Sequence, residues 1–156
     1  MSNIKPVDVV LLVIAVLGVL VVSAIVSLFG NPGGEWYEGL VKPAFTPPNW
    51  VFPIVWFVLY ILVAYAGWAT FLREPDGQEI WIWAGQLILN WIWIIIFFSF
   101  HAIWLGFIVI LLVALLTLWF IAREWKKDWY AALAMIPYML WVTFAGIINL
   151  FIGLSN

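Results

Sequence analysis

The chain has 156 residues, of which 67% are hydrophobic and only 9% charged. Soluble domains run near 45–50% apolar and about 25% charged, so this composition is that of a membrane protein. A formal net charge of −2, with six Lys plus Arg scattered over several loops, leaves no basic face for nucleic acid, and the absence of cysteine excludes disulfides, thiolate nucleophiles and cysteine-ligated metals.

Five uncharged runs follow one another, at residues 9–29, 51–72, 80–100, 102–122 and 129–154. Each is about 20 residues or longer, enough at roughly 1.5 Å per residue to cross a hydrocarbon core of about 30 Å. Backbone polar groups in lipid must be satisfied within their own segment, so the runs predict helices. The first is too long for a signal-peptide core and shows no small-residue cleavage site, and is read as a retained helix. The fold class expected is an all-α membrane protein, a bundle of five transmembrane helices in a single domain spanning 1–156.

Pro6 stands near the start of the first helix, a tolerated position, and Gly30-Asn31-Pro32-Gly33-Gly34 closes it. The connection that follows, 30–50, carries Trp36, Tyr37, Lys42, Pro43, Phe45, Pro47, Pro48 and Trp50. Rings and prolines of this kind gain little from water, which predicts a lid packed onto the bundle. Pro53 falls in the first turn of the second helix, where its missing N–H costs little. Arg73-Glu74-Pro75-Asp76-Gly77 is a tight turn. The third and fourth helices are separated only around 99–101 and must be antiparallel neighbours. Pro137 inside the fifth predicts a kink or a freed carbonyl. Five crossings put Lys5, Arg73, Arg123, Lys126 and Lys127 on one side and Lys42 alone on the other, so the positive-inside rule predicts a cytoplasmic N-terminus with the lid and the C-terminus outside.

No acidic or basic side chain lies within the five runs. Ion-coupled transporters usually carry such residues in the membrane, and no carboxylate pair or Ser-His-Asp set is available for acid–base or nucleophilic work. One histidine, His101, cannot make an ordinary protein-only metal site. Aromatic and amide groups remain. The third helix places Trp83, Gln86, Asn90, Trp93 and Phe97 at spacings of three and four, hence on one face. The second offers Phe52, Trp56, Tyr60, Ala64 and Trp68, and the fifth Tyr138, Trp141, Ala145 and Asn149. Such faces suit a flat, largely apolar ligand with polar edges. They serve helix packing equally well, Gln86 and Asn90 by bonding neighbouring helices. Trp81, Trp125, Trp129 and Tyr130, at helix ends, read as interfacial anchors.

With these residues in view the chain resembles the TspO/MBR family, the tryptophan-rich sensory proteins related to the mitochondrial translocator protein. The resemblance is carried by Trp36-Tyr37, Leu40, Lys42-Pro43, Phe45, Pro47-Pro48, Trp50, Phe52 and Trp56. It continues in Gln86-Leu87, Asn90, Trp93 and Phe97-Phe98, then in Pro137-Tyr138, Trp141, Ala145 and Asn149, in family order over nearly the whole chain. It implies a five-helix bundle, often dimeric, with a chamber beneath the first loop. Relatives bind porphyrins, isoquinoline-type ligands and, in animals, cholesterol, and some bacterial ones are reported to break down protoporphyrin in light. Carried over by position, Trp36 is the lid aromatic, Trp56 and Trp141 flank the pocket, and Asn90, Trp93, Tyr138, Ala145 and Asn149 line it; Tyr60, Gln86 and Phe97 join the ligand-binding set from their helix faces.

Three departures stand out. The stretch Phe107-Ile108-Val109-Ile110 lacks the acid that many relatives carry in the fourth helix. Ile94 and Ile95 replace small or polar residues after the helix-three tryptophan. No tyrosine followed by a basic residue closes the fifth helix, so the animal sterol motif is absent; Lys127-x-x-Tyr130-x-x-Leu133 matches a reversed sterol pattern that fits an interfacial anchor equally well.

The first reading is therefore a membrane-embedded binding protein for porphyrins, tetrapyrroles or similar flat lipophiles, acting as sensor, regulator or carrier, with no required cofactor or metal. Its partners would be membrane lipid and the small ligand. The address expected is a prokaryotic plasma membrane. The alternative is a light-dependent protoporphyrin-degrading enzyme with Trp56 and Trp141 as catalytic candidates. A third reading is a helix-packing interaction module, with Ala102-x-x-x-Gly106 and Ser23-x-x-x-Ser27 as small-residue contacts within the bundle or across a homodimer.

Overall fold

The computed structural model describes residues 5–32 and 34–156. Five helices are long and apolar enough to cross a membrane: α1 (Pro6–Gly30), α3 (Val51–Arg73), α4 (Gln78–Ile94, prolonged by a π-helical turn, Ile95–Ser99), α5 (Ile103–Glu124) and α6 (Trp129–Ser155). A short helix, α2 (Glu35–Gly39), sits in the first connection. The protein is an all-α membrane protein with five spanning helices.

Several helix ends run past the uncharged runs, because charge does not end a helix when the charge is paired. Arg73, Glu79, Arg123 and Glu124 fall outside the uncharged runs, yet all four lie inside helices. Glu79 and Glu124 are buried to 1% and 0% exposure. The lid is likewise not all loop: Gly30 belongs to α1, and α2 occupies part of the connection. Asn31 follows α1 in the left-handed conformation (φ 46°), a helix stop that asparagine tolerates better than most residues. Asp128 caps α6, its Oδ1 accepting from the amides of Tyr130 (3.0 Å) and Ala131 (3.2 Å). Pro137 lies within α6, which continues through it to Ser155; with no N–H to give, it leaves the Leu133 carbonyl without its usual partner.

In space the helices form a ring in the order α1, α3, α6, α5, α4 and back to α1. Tryptophan indoles fasten several of these contacts. Trp68 Nε1 donates to the Asp8 carbonyl (2.8 Å), joining α3 to α1, and Trp91 Nε1 donates to Ser23 Oγ (2.9 Å), joining α4 to α1. Trp83 Nε1 reaches the Val63 carbonyl (2.8 Å) by lying across Gly67, where any Cβ would collide with the indole. Four-residue spacing explains why Trp68 leaves the face that Phe52 begins: each step drifts about 40° around the helix, so four steps carry it nearly to the far side.

The end of the bundle away from the lid is closed by ion pairs. Arg73 grips Glu124 with two N–H groups (2.7 and 2.6 Å), and Thr70 Oγ1 donates to the same carboxylate (3.3 Å). Arg123 Nε donates to Glu79 (2.7 Å), while Lys127 bridges Glu74 and Glu79 at 3.0 Å each. These pairs tie α3, α4 and α5 together. The carboxylates of Glu74, in the turn, and Glu79, at the start of α4, hold the Lys127 ammonium above the usual lysine pKa.

Candidate functional site

The lid end is built differently. At the foot of α4 the helix widens into the π-helical turn, with Phe100 N–H donating to the Ile95 carbonyl (3.1 Å). Such turns rotate the side chains that follow relative to an α-helix, and here they place Phe97 and Phe98 against the lid. His101 then takes φ 55° to reverse the chain into α5, a conformation in which histidine is enriched among non-glycine residues.

The lid packs on this aromatic end. Tyr37 is buried and meets Phe98 edge-on at 5.4 Å and Phe97 at 6.3 Å. Burial raises its phenol pKa above the ordinary value. Lys42 donates through Nζ to the carbonyls of Tyr37 (2.6 Å), Glu38 (3.1 Å) and Leu40 (3.2 Å), closing the end of α2, and stands 4.7 Å from the Tyr37 ring centre. Pro43 is buried and Pro47 half-buried, whereas Pro48 is exposed. At the far side of the lid the Asn156 side chain pairs with both polar atoms of the Val41 backbone (3.0 and 3.1 Å). Not every lid ring turns inward: Phe45 and Trp50 are 54% and 67% exposed, although Phe45 also leans on Phe144 at 6.1 Å. Outward rings at a helix end are what the membrane interface favours.

Beneath the lid lies a cavity of about 540 Å³, within the roughly 300–1,000 Å³ range of small-molecule sites. Trp56 and Tyr60 of α3 line it, their rings stacked at 5.3 Å. Trp93 and Phe97 of the prolonged α4, also stacked (5.7 Å), line it too, with Ala145 and Asn149 of α6 and Tyr37 from the lid. Asn149 is a junction: its Oδ1 accepts from Trp93 Nε1 (3.2 Å) and its Nδ2 donates to the Ile103 carbonyl (2.9 Å). Gly106 makes room for it, since a Cβ there would press on Phe97 and on the Asn149 oxygen. Of the Ala102-x-x-x-Gly106 spacing, Gly106 thus packs inside the bundle.

Four of the residues expected at the site sit one layer behind the wall. Asn90 Oδ1 accepts from Tyr60 O–H (2.8 Å), and Tyr138 and Trp141 meet Trp56 edge-on at 6.2 and 6.5 Å. Gln86 is fully buried further from the lid. Among the described residues the Gln86 amide, Asn90 Nδ2, Tyr138 O–H and Trp141 Nε1 have no hydrogen-bond partner. Trp36, placed over the chamber by the resemblance, lies outside the lining; its ring stacks on His101 at 4.2 Å and meets Phe97 edge-on at 5.5 Å.

One wall was not anticipated. Leu20, Ser23, Ala24 and Ser27 of α1 line the cavity, as do Asn49 of the first connection and Pro53 and Phe57 of α3. The uniformly apolar first helix offers no periodic signal; only its two serines hint at an inward face. α5, which carries the acid-free stretch 107–110, lines no part of the cavity. Among the described residues no cluster of three His, Cys, Asp or Glu is placed to hold a metal.

Comparison with known proteins agrees with this architecture. The TspO/MBR family model matches residues 9–154. Protein CrtK of Rhodobacter capsulatus is 37% identical over 120 residues, covering 74% of this chain and 75% of that protein. The tryptophan-rich protein TspO of Archaeoglobus fulgidus is 33% identical over 152 residues, covering 93% and 96%. The human translocator protein is 31% identical over 134 residues, covering 80% and 76%. A five-helix ring closed over an aromatic cavity by a Trp-Tyr lid, matched by that family over nearly its whole length, belongs to the TspO/MBR family.

Proposed function

We propose that the protein is a membrane-embedded binding protein for porphyrins, other tetrapyrroles or similar flat lipophilic ligands, acting as a sensor, regulator or carrier. The observation that carries the reading is the cavity of about 540 Å³ walled by the stacked pairs Trp56–Tyr60 and Trp93–Phe97. Aromatic walls suit a flat conjugated ligand, because ring–ring contact adds to area burial. In this reading the lid excludes water, the Asn149 and Asn90 carboxamides orient the wall rings, and lipid surrounds the bundle. The N-terminus faces the cytoplasm of a prokaryotic cell, by the excess of Lys and Arg at the end away from the lid. A homodimer would be formed through lipid-facing helix surfaces.

Quenching of tryptophan fluorescence by protoporphyrin, in the dark and then in light, tests this. Saturable dark quenching that weakens when Trp56 and Trp141 are replaced by Phe is the expected result. Quenching that never saturates and ignores both substitutions would mean partition into detergent and would remove the tetrapyrrole reading.

The edge-to-face contact of Trp56 with Trp141 at 6.5 Å supports a second reading, light-dependent oxidation of bound protoporphyrin, with the pigment as photosensitiser and dioxygen as oxidant. Trp141→Phe distinguishes the two: a changed product or rate at preserved affinity favours the enzyme, and persistence of pigment in both proteins favours the binder.

A further inference from the structure

We propose that the middle of the bundle holds a resident water site, separate from the cavity, whose ligands are the side chains of Gln86, Asn90 and Tyr138. All three are fully buried, and none lines the cavity. Among the described residues, both ends of the Gln86 carboxamide, the Asn90 Nδ2 and the Tyr138 hydroxyl lack a hydrogen-bond partner. Buried polar groups are rarely left so, because an unmade bond forfeits the whole cost of taking the group out of water. The three converge from two helices. Gln86 and Asn90 stand four residues apart on α4, hence on one face. Tyr60 O–H donates to Asn90 Oδ1 (2.8 Å), which commits that oxygen to α3 and leaves the NH2 end free. Tyr138 of α6 and Tyr60 both pack on the Trp56 ring, at 6.2 and 5.3 Å, so the two phenols belong to one cluster. Height agrees as well. α4 starts at Gln78 and α6 at Trp129, both at the ionic end, which sets Gln86 and Tyr138 nearly level, roughly 12–14 Å along their helices.

Water is the ligand that suits these groups. They present donors and acceptors together: the NH2 ends of two carboxamides, one free carboxamide oxygen and a hydroxyl that both gives and accepts. A buried water is held by two to four such partners. An ion is not served, since all three side chains are neutral and a bare charge needs a charged or richly bonded partner to leave water. The buried carboxylates Glu79 and Glu124 are spent on arginines at the ionic end. A water between Gln86 and Tyr138 would link α4 to α6, which are not adjacent in the ring. It would also hold the Asn90 carboxamide from behind while its oxygen meets Tyr60 on the cavity wall. Gln86 and Tyr138 then act as positioning residues for that wall, whatever the cavity binds.

Nuclear magnetic resonance on the full chain in nanodiscs, labelled with 15N-glutamine, tests the proposal. Gln78 and Gln86 are the only glutamines, and Gln78 is exposed, so it serves as the wet reference. The expected result is a rotating-frame cross-peak between the Gln86 side-chain amide and water, with the sign of a resident water and not of proton exchange. Tyr138→Phe should weaken that peak at least about threefold, one of the three ligands being lost. No water peak at Gln86 while Gln78 shows one would overturn the proposal. A peak that Tyr138→Phe leaves unchanged would overturn it too, because the water would then lie elsewhere. Gln86→Leu, close to glutamine in volume, gives an independent reading by SDS titration. Loss of a satisfied amide should move the folding equilibrium about fivefold toward the unfolded state. An amide that sits dry and unpaired predicts the opposite shift, and a more stable Gln86→Leu protein would sink the water site.

Discussion

The two ends of this bundle solve the same packing problem in opposite ways. Away from the lid, small residues bring the helices close: Ala64, Ala66, Gly67, Ala131 and Ala132 are all buried, with Met135 among them. Small side chains let helix backbones approach, and the charges there are neutralised pairwise by Arg73–Glu124 and Arg123–Glu79. At the lid end large rings keep α1, α3, α4 and α6 apart, and the space between them is the cavity. One end is therefore built for cohesion and the other for occupancy. The comparison teaches that the tryptophans are not one class: Trp83 and Trp68 clasp helices, Trp56 and Trp93 line space, and Trp36 seals against His101.

If that division is right, damage to the ionic end should lower stability without changing affinity. Glu124→Ala leaves the Arg73 guanidinium, 27% exposed, without its partner. Breaking a buried pair costs roughly 3–5 kcal/mol, and partial exposure puts this one at the lower end. Thermal unfolding in detergent should show the largest drop in Tm of any change considered, with unaltered Kd in the folded fraction; a Kd that moves with it would mean the two ends are coupled. Gly67→Val drives a side chain into the Trp83 indole and should cost about 1–3 kcal/mol by overpacking, again with binding intact. Near-wild-type stability would show that Trp83 can leave the Val63 carbonyl freely.

Tyr60→Phe probes the boundary between the ends. It deprives the Asn90 oxygen of its donor, which costs about 1–2 kcal/mol when a buried acceptor is orphaned. It should also weaken ligand binding, because Tyr60 lines the cavity; lost stability with unchanged quenching would assign Tyr60 to cohesion alone. Asn156→Ala removes the clamp on Val41 at an exposed site, and its effect on Tm should be under about 1 kcal/mol. Ligand association and dissociation should both quicken, measured by stopped-flow fluorescence, and unchanged rates would mean the lid does not gate access.

The smallest effect expected is with pH. Tyr37 and Lys127, at opposite ends, both have raised pKa values in the folded protein. Each contribution is fully present below the unfolded pKa, about 10.0 for tyrosine and 10.4 for lysine, and is lost as pH rises through the raised folded value. Stability should hold from neutral pH to about 10 and fall above it. Tyr37→Phe should remove the part of that loss which accompanies weakened binding, and Lys127→Met the part which does not. An alkaline loss indifferent to both would have another source.

Much of this was legible in sequence. Apolar runs about 20 residues long named the five helices, since a backbone in lipid has few ways to satisfy itself. The spacing of Trp93 and Phe97, and of Trp56 and Tyr60, put each pair on one helix face, because 3.6-residue periodicity is local. Tertiary structure alone decided the rest. No local pattern shows that Glu79 and Glu124 are buried, since the guanidinium groups that permit it come from other helices. Nor could spacing separate Trp56, on the cavity wall, from Trp141, behind it, or draw α1 into the site through Ser23 and Ser27. A helix face says which way a side chain points; whether it meets a neighbour or an empty volume is set by how far apart the neighbouring helices are held.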